Sequence, residues 1–504
     1  MIKSPKNVLI SVFHKDGLQP IVELLSAQGT TIYSTGGTYN AITSWGVSAV
    51  EVESLTSYPS ILGGRVKTLH PKVFGGILAR EDNASDLTEL SEYDIPLFDW
   101  VIVDLYPFEE TVANGSSHQD IIEKIDIGGI SLIRAAAKNY KDTLVVSHRG
   151  QYQEVLTLLK AKGGQTDLAS RKAYAAEAFG ISSHYDTLIH GYLTEEASVF
   201  TVSQDHPMPL RYGENPHQRA TFFGDFNAMF TRLSGKPVSY NNLMDIESAV
   251  QVIAEFKQPT FAIIKHNNTC GLATSDTVAK AYTKALACDN VSAFGGILIT
   301  NQEVDMECAE AIQKLFFEVL IAPSFAPGVV DALKVKKNRI ILQQKPYEPK
   351  HRTYRSMLNG VVAQDADLAI EKPKNWTTLS EKTPDQKTLK DLSFALKAVK
   401  HLKSNGIAIV KDRQLIGMGC GQTSRVDALQ QAIAKAKSFG FRVEGAVFAS
   451  DAFFPFPDCV EIAGKEGMIG VVHPGGSIRD QDSVDMANQL DMALCITGVR
   501  HFKH

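Results

Sequence analysis

The chain has 504 residues, of which 44% are hydrophobic, and a formal net charge of -5. This length exceeds what one hydrophobic core can organise and predicts about two to four domains, while the slightly acidic balance excludes a globally basic nucleic-acid-binding surface. No apolar run approaches the roughly 20 residues of a membrane span, and the six cysteines form no Cys-x-x-Cys pair that would indicate a zinc site or a disulfide framework. We therefore expect a cytoplasmic globular protein that needs no metal and binds neither nucleic acid nor membrane.

The first 150 residues alternate between short apolar runs and amphipathic segments. The pattern predicts helices at 18–28 and 39–45, and strands at 8–13, 30–33, 100–105 and 143–147. Strands separated by helices with short connections form a parallel sheet that is covered on both faces. Ligands bind such sheets at the carboxyl ends of the strands.

Two glycine-flanked loops in this region have the composition of phosphate sites. Ser-Thr-Gly-Gly-Thr at 34–38 stands between a predicted strand and a predicted helix, where free N–H groups and the positive end of a helix attract anions. In Gly-Gly-Arg-Val-Lys-Thr-Leu-His-Pro at 63–71, an extended backbone would turn Arg65 and Lys67 to the same side. Gly-Gly pairs are also ordinary turn residues, but two such loops in one domain favour nucleotide or phosphate binding.

A third Gly-Gly motif, Asp-Ile-Gly-Gly at 126–129, opens a predicted helix that carries Arg134 and Lys138. Residues four apart share one helical face, and the alternative is a solvated basic stripe. A lysine crowded by other cations loses proton affinity, which suits it to acid–base work. The segment 151–200 is rich in Ala, Leu, Lys and Glu and predicts helices that bridge two domains, with the boundary near 199–208.

The remainder of the chain contains two loosely similar runs, at 291–298 and 445–454. Both are predicted as apolar strands, each after an Ala/Lys-rich helix (278–287 and 427–438), which suggests a duplicated α/β subdomain. The Lys/Pro-rich segment 334–382 is typical of a surface connection between the two halves.

The most informative pair in this second region is Lys265-His266, which follows the apolar run 261–264. An imidazole that removes a proton beside an ammonium that stabilises an oxyanion is a catalytic combination. Neighbours on a strand face opposite ways, so the pair is incidental unless the chain bends there. Downstream, the aromatic segment 451–458 predicts either core packing or a wall for a flat heterocycle.

Together and in this order, these motifs resemble one family of bifunctional purine-biosynthesis enzymes. Its members are both aminoimidazole carboxamide ribonucleotide (AICAR) formyltransferases and inosine monophosphate (IMP) cyclohydrolases. The likeness runs from Ser11 to His504 and includes Leu-Arg-Tyr-Gly-Glu-Asn-Pro-His-Gln at 210–218, Arg-Ala-Ala-Ala-Lys-Asn at 134–139 and Ser-Asp-Ala-Phe-Phe-Pro-Phe at 450–456. No single motif is specific, but the ordered set is.

The resemblance implies an α/β fold with a methylglyoxal-synthase-like cyclohydrolase domain at 1–200, including the helical bridge 151–200. It implies a formyltransferase region at 201–504 made of two cytidine-deaminase-like subdomains, at about 201–365 and 366–504. The deaminase motifs His-x-Glu and Pro-Cys-x-x-Cys are absent from the sequence, so zinc chemistry is not expected. The co-substrate would be 10-formyltetrahydrofolate, and the enzyme would be a homodimer with shared transferase sites.

Site residues follow from the resemblance, motif by motif. Lys138 would transfer protons in cyclisation, His266 would be the base of formyl transfer, and Lys265 would stabilise its transition state. The remaining implied residues contact the cyclohydrolase nucleotide (Lys15, Thr35, Gly36, Gly37, Thr38, Arg65, Val66, Lys67, Thr68, Asp126, Ile127), the transferase nucleotide (Arg211, Tyr212, Gly295, Asn405, Arg425, Arg500) and the folate (Phe453, Asp458, Gly475, Gly476).

Four positions depart from the family pattern. Phe13-His14 stands where Ser-Asp is common, Asp104 where Asn is common, and Thr269 where bacterial members often have Pro. A carboxylate repels a phosphorylated ligand, so Asp104 is not expected to contact it. Two other functions remain open: a non-catalytic phosphate or nucleotide sensor, and a methylglyoxal-synthase-like lyase acting on dihydroxyacetone phosphate with an inactive deaminase-like domain.

Overall fold

A computed structural model describes residues 2–194, 199–204, 206–346, 348–349 and 351–504. The chain divides into two compact units, Met1–Asp205 and His206–His504. Among the described residues, no helix is long and apolar enough to cross a membrane. Part of the predicted boundary and of the predicted bridge, residues 195–198 and 205, lies outside the described residues.

The first unit contains a five-stranded sheet in the order β3-β2-β1-β4-β5, and all of its strand pairs are parallel. Its strands are β1 (Asn7–Ser11), β2 (Thr31–Ser34), β3 (Val50–Glu51), β4 (Trp100–Val103) and β5 (Leu144–Val146). The helices are α1 (Gln19–Ala27), α2 (Gly36–Ser44), α3 (Val52–Thr56), α4 (Pro71–Leu78), α5 (Ala84–Glu92), α6 (Phe108–Ala113), α7 (His118–Ile122), α8 (Gly128–Lys138), α9 (Tyr152–Lys162) and α10 (Leu168–Leu193).

Alternate residues of the central strand, β1, belong to different hydrophobic clusters. Val8 and Ile10 pack on one face of the sheet and Leu9 on the other, as the two-residue period of a strand requires. The parallel sheet predicted from the sequence is therefore confirmed, covered on both faces. The predicted strands and helices of this unit are present, with ends shifted by up to three residues.

The helices of segment 151–200 pack within the first unit: α9 contributes Val155 and Leu159 to its cores, and α10 contributes Ala175 and Ala178. That this segment bridges two domains stays a prediction. One prediction about this unit is wrong. The basic loop at 63–71 is not extended: it lies between α3 and α4 and begins with a turn of 3-10 helix, in which Gly63 has φ +67°.

The second unit contains a twelve-stranded mixed sheet and two small hairpins. Its first half comprises β6 (Pro207–Pro209), β7 (Thr221–Phe223), α11 (Phe226–Met229), β8 (Phe230–Ser234), α12 (Tyr240–Ala254), β9 (Thr260–Lys265), β10 (Asn268–Thr274), α13 (Val278–Cys288), β11 (Gly296–Thr300), α14 (Met306–Gln313), β12 (Phe317–Ala322), α15 (Val329–Leu333) and β13 (Ile340–Gln344). The remainder comprises β14 (Arg352–Met357), β15 (Gly360–Asp365), β16 (Thr377–Thr378), α16 (Gln386–Lys400), β17 (Ile407–Lys411), β18 (Gln414–Gly419), α17 (Arg425–Ser438), β19 (Val447–Ser450), α18 (Asp458–Lys465), β20 (Gly470–His473), α19 (Asp480–Gln489) and β21 (Ala493–Ile496).

The two halves of this sheet have the same topology. The order β10-β9-β11-β12-β13-β8 in one half matches β18-β17-β19-β20-β21-β16 in the other, with the same sequence of parallel and antiparallel pairs. The halves meet where β10 pairs antiparallel with β18. The duplication inferred from two weakly similar runs is therefore present as a repeated α/β arrangement.

The structure corrects two details of that inference. Residues 291–295 form turns rather than a strand, and β11 begins only at Gly296. The segment 334–382 is not wholly a surface connection, because it contains β13, whose residues Ile340 to Leu342 are fully buried in the sheet. Other parts of the segment are exposed, among them the β14–β15 hairpin, in which every strand residue is exposed.

Candidate active sites

Two lysines lie over the first turn of α2 in the first unit. A β-carbon placed on Gly36 would lie 3.2 Å from Lys67 Nζ, and one placed on Gly37 would lie 4.0 Å from Lys15 Nζ. The first N–H groups of a helix have no intrahelical acceptor and carry partial positive charge. Two ammonium groups beside that helix end make this place a candidate anion site.

The third glycine loop adjoins the second. Thr68 Oγ1 lies 3.0 Å from the position of a β-carbon on Gly128, so the loops at 63–68 and 126–129 touch. Asp126 caps this corner by accepting the N–H of Gly129 at 2.6 Å. Burial raises the pKa of the Asp126 carboxyl, and its backbone hydrogen bonds oppose that rise. All three glycine loops predicted from the sequence therefore come together.

Lys15 is held by the turn that follows β1. Its ammonium donates to the carbonyl oxygens of Val12 and Phe13, each at 2.8 Å. Burial lowers the pKa of Lys15, the charge of Asp104 opposes this, and Lys67 adds to it. A lysine has three N–H donors, so two bonds to its own turn leave one for a ligand.

Arg65 and Lys138 also belong to the predicted cyclohydrolase site, and both are exposed. Arg65 forms an ion pair with Glu123 and has helical backbone angles (φ -66°, ψ -18°), so the prediction that it shares a side with Lys67 on an extended segment is wrong. Lys138 is the last residue of α8 and is exposed. At about 1.5 Å per residue, it lies roughly 15 Å along the helix axis from Gly128.

In the second unit, the chain bends at the Lys-His pair. His266 and Asn267 form the two-residue turn between β9 and β10, and both have positive φ, +49° and +61°. Two consecutive left-handed residues are what the tightest β-hairpin turn requires, and His and Asn tolerate that conformation better than most residues do. The bend therefore frees His266 from the strand alternation, and its side chain is exposed.

Asp245 holds this turn and was not identified from the sequence. Asp245 on α12 accepts the N–H of Asn267 at 2.7 Å, and burial raises the pKa of its carboxyl. The ammonium of Lys265 donates to the carbonyl oxygens of Phe294 (2.9 Å) and Gly295 (3.2 Å). Gly295 has φ +68°, and its missing side chain leaves the space that Lys265 Nζ approaches.

The second half of the sheet contains a buried network around Asp451. Its fully buried carboxylate accepts from Arg425, which also donates to Asn405 Oδ1 at 2.7 Å. Ser404 donates to the other carboxylate oxygen of Asp451 at 2.6 Å. Two predicted nucleotide contacts, Asn405 and Arg425, therefore contact each other directly, and Asp451 is the carboxylate that pairs with Arg425.

The C-terminal tail is docked. The backbone N–H of His501 donates to the carbonyl of Asp451 at 3.0 Å, and the backbone of Lys503 pairs with Ser404. Both ring nitrogens of His501 face carboxylates, Asp367 at 2.6 Å and Glu371 at 2.9 Å. This arrangement fixes the backbone beside Arg500, whose guanidinium stacks over the Phe502 ring at 4.3 Å.

The remaining predicted residues of the formyltransferase site lie on loops of the second unit, except for Asp458. Phe453 is 38% exposed and Asp458 begins α18. Gly475 and Gly476 have φ of +71° and +99°, and the Gly476 N–H is bonded to Asp480 at 2.7 Å. Arg211 and Tyr212 contact each other, with the guanidinium 4.9 Å from the ring centre, in the loop between β6 and β7.

Comparison with known proteins adds two sequence-profile matches. Residues 136–435 match the AICARFT/IMPCHase bienzyme family, and residues 17–131 match the MGS-like domain. The MGS-like character predicted for the N-terminal domain is thereby confirmed.

Three bacterial relatives, each named bifunctional purine biosynthesis protein PurH, match essentially end to end. The protein of Bacteroides thetaiotaomicron is 54% identical over 503 residues (100% of this chain, 99% of the relative). The Chlorobaculum parvum protein is 41% identical over 517 residues (99% of both chains), and the Acetivibrio thermocellus protein is 42% identical over 516 residues (99% of this chain, 100% of the relative). A solved structure, ForH, is 34% identical with a TM-score of 0.33 and covers 38% of this chain and 100% of its own, an overlap too poor to bear on the fold.

These matches define a class of two-activity purine-biosynthesis enzymes, and the chain belongs to the AICARFT/IMPCHase bienzyme family. It is an AICAR formyltransferase and an IMP cyclohydrolase, and it catalyses the last two steps of IMP synthesis with 10-formyltetrahydrofolate as the formyl donor. The alternatives of a phosphate sensor and of a methylglyoxal-synthase-like lyase are not supported.

Proposed function

We propose that the two activities are divided between the two units, with cyclisation in the first and formyl transfer in the second. The observation that carries this proposal is the turn that presents His266 beside Lys265 in the second unit, whereas the corner formed by three glycine loops lies in the first. Each unit thus has its own set of charged groups suited to a phosphorylated ligand.

Formyl transfer begins with the aminoimidazole amine, whose lone pair is shared with the ring. His266 takes a proton from this nitrogen as it attacks the formyl carbon of 10-formyltetrahydrofolate, and Lys265 stabilises the oxyanion that forms. The new C–N bond then remains, while the bond from the formyl carbon to N10 of the folate breaks and N10 receives a proton. Orienting two bound substrates contributes up to ~7–11 kcal/mol to such a step.

Lys265 is suited to the oxyanion role because its position is fixed. Two carbonyl oxygens, those of Phe294 and Gly295, accept from its ammonium and leave one N–H for the reacting oxygen. The substrates would be held by Arg211, Tyr212, Gly295, Asn405, Arg425 and Arg500 on the nucleotide side and by Phe453, Asp458, Gly475 and Gly476 on the folate side.

In cyclisation, the carboxamide nitrogen attacks the new formyl carbon, and loss of water gives IMP. Lys15 and Lys67 at the first turn of α2 would hold the phosphate of the formylated nucleotide. Lys138 would manage the protons, as its motif implies, acting some distance along α8 from the anion corner. The loops would contribute the remaining contacts, from Thr35, Gly36, Gly37, Thr38, Arg65, Val66, Thr68, Asp126 and Ile127.

We further infer a cytoplasmic homodimer whose transferase sites are shared between subunits. The β14–β15 hairpin supports this inference, because Met357, Val361 and Val362 expose 46%, 45% and 47% of their surfaces. A two-stranded hairpin is marginally stable alone, so a partner surface would stabilise it. Sedimentation of the V361E/V362E variant tests this: a monomer that still cyclises but no longer transfers formyl is the expected result.

Single substitutions test the division of the two activities. Lys138→Ala should abolish IMP formation from the formylated nucleotide and leave formyl transfer to AICAR unchanged, while His266→Ala should do the reverse. Lys67→Ala separates binding from proton transfer, because it should raise KM for cyclisation more than it lowers kcat. Loss of both activities in either folded variant contradicts the two-site assignment.

A further inference from the structure

The turn after β1 and the residue after β4 lie next to each other at the carboxyl ends of these two neighbouring strands. In the order β3-β2-β1-β4-β5, the chain fills the sheet outward from β1 in one direction and from β4 in the other. The crevice at such a switch point is where open parallel sheets bind ligands. His14 follows β1 and Asp104 follows β4, so the two departures from the family pattern flank this crevice.

These two departures are in direct contact. The carboxylate of Asp104 accepts the backbone N–H of Phe13 on one oxygen and that of His14 on the other, the latter at 3.0 Å. The second oxygen also lies 2.8 Å from Nδ1 of the His14 ring. Asp104 is 8% exposed, so its carboxylate is committed to the turn rather than to solvent.

The same turn is held from its other side. Thr38 Oγ1 bonds both the N–H (3.1 Å) and the carbonyl (2.9 Å) of Val12, and Lys15 Nζ donates to the carbonyls of Val12 and Phe13. The backbone from Val12 to His14 is therefore anchored by three side chains. One of them, Lys15, is an ammonium group of the candidate anion site.

This anchoring places a negative charge close to a site for an anion. Asp104 accepts the N–H of Phe13 while Lys15 donates to the carbonyl of the same residue. The nearby charge of Asp104 opposes the lowering of the pKa of Lys15 by burial. The charge of Asp104 also acts to raise the pKa of Asp126 and that of Tyr152. Lys67 is the other cation close to Lys15. An uncompensated carboxylate at this point would weaken the attraction of the corner for phosphate.

We propose that His14 and Asp104 act together as a hydrogen-bonded positioning pair for the cyclohydrolase site. Asp104 fixes the turn that aims Lys15, and Nδ1 of His14 engages an oxygen of the same carboxylate, which keeps that carboxylate directed at the turn and away from the ligand's phosphate. The inference rests on the proposed location of ring closure in the first unit.

Three variants test the pair. H14N keeps an N–H donor close to the position of Nδ1 but removes the imidazole ring that fixes the carboxylate, and it should raise KM for cyclisation about threefold with kcat retained. H14D sets two carboxylates against each other and should raise KM at least tenfold. In H14D/D104N the amide can donate to the new carboxylate, and KM should return to within about threefold of wild type.

The matched control is H148N, which changes a surface histidine that pairs with Glu177 at 2.7 Å in the same unit. It should leave KM unchanged. An H14N or H14D variant with wild-type KM overturns the proposal, as does an H14D/D104N variant that folds without recovering. If H14D does not fold, H14N and the double variant still decide the question.

A second readout separates this proposal from the proposed function. Calorimetric affinity for IMP, the product, should weaken in H14N and H14D and recover in H14D/D104N. If Lys138→Ala fails to abolish cyclisation but this order of IMP affinities holds, the assignment of cyclisation fails and the positioning role of the His14–Asp104 pair stands. Unchanged IMP affinity across the series overturns the positioning role itself.

Discussion

Nδ1 of His501 lies 2.6 Å from Oδ2 of Asp367, and the opposite ring nitrogen faces a second carboxylate, Glu371. Burial alone would lower the pKa of His501, but hydrogen bonds and charge from these two carboxylates outweigh it, so the pKa is raised. Lys400, 3.9 Å from Asp367, is the nearby cation. The imidazolium of His501 thus holds the segment that contains Asp367 and Glu371 against the C-terminal tail.

This arrangement predicts a pH-dependent contribution to stability. Because the folded pKa lies above the unfolded value of about 6.5, the contribution is complete below that value and is lost as pH rises through the raised pKa. At low pH, the wild-type protein should therefore have a higher urea midpoint of unfolding than the His501→Gln variant. The difference between the two midpoints should narrow as pH rises. The exposed His217→Gln variant is the control, and a gap that widens with pH contradicts the prediction.

Gly36→Ala should weaken the cyclohydrolase without unfolding it. Gly36 has φ +46°, and a β-carbon there would lie 3.2 Å from Lys67 Nζ, so the ammonium must give way by a few tenths of an ångström. We expect KM for cyclisation to rise about tenfold, since a charged contact contributes ~1.5–3 kcal/mol.

The matched control is Gly29→Ala. Gly29 also has positive φ, +79°, but no atom lies within 4 Å of its β-carbon position. Both variants should lose about 1 kcal/mol of stability from backbone strain, and only Gly36→Ala should change KM. Equal kinetic effects in the two variants would show that strain alone accounts for the loss.

Asp245→Asn should lower formyl transfer through the position of His266. The carboxylate holds a turn of two left-handed residues by accepting the Asn267 N–H at 2.7 Å, and a neutral acceptor holds it less firmly. We expect kcat for formyl transfer to fall about tenfold with cyclisation unchanged. Glu310→Gln, which changes an exposed acid on α14, should leave both rates unchanged, and an unaltered rate in Asp245→Asn refutes the positioning role.

Asp451→Asn should destabilise the second unit and weaken nucleotide binding. Arg425 is 8% exposed and Asp451 fully buried, so removing the carboxylate leaves a buried guanidinium uncompensated. Breaking such a pair costs about 3–5 kcal/mol, and urea unfolding should show a loss of that order. Asp491→Asn removes an exposed partner of Lys382 and should cost less than about 1 kcal/mol; equal losses would contradict the argument.

Sequence patterns that are local and periodic predicted much of this molecule. The strands β1, β2, β4 and β5 follow from apolar runs of strand length, and the glycine loops follow from residues that favour turns and anions. The motif order also identified the family, and the sequence profiles and relatives confirm it. These features depend on neighbouring residues, so the linear sequence contains them.

The pairing of distant residues became known from the folded structure. Asp104 is 90 positions from His14, and Asp451 is 26 positions from Arg425, separations at which no local pattern specifies a contact. Lys67 reaches Gly36 because its loop folds back between α3 and α4, not because its backbone is extended. The linear pattern shows which residues are available for each chemistry. Which charged side chains contact each other depends on strand order, and strand order is set when the sheets pack.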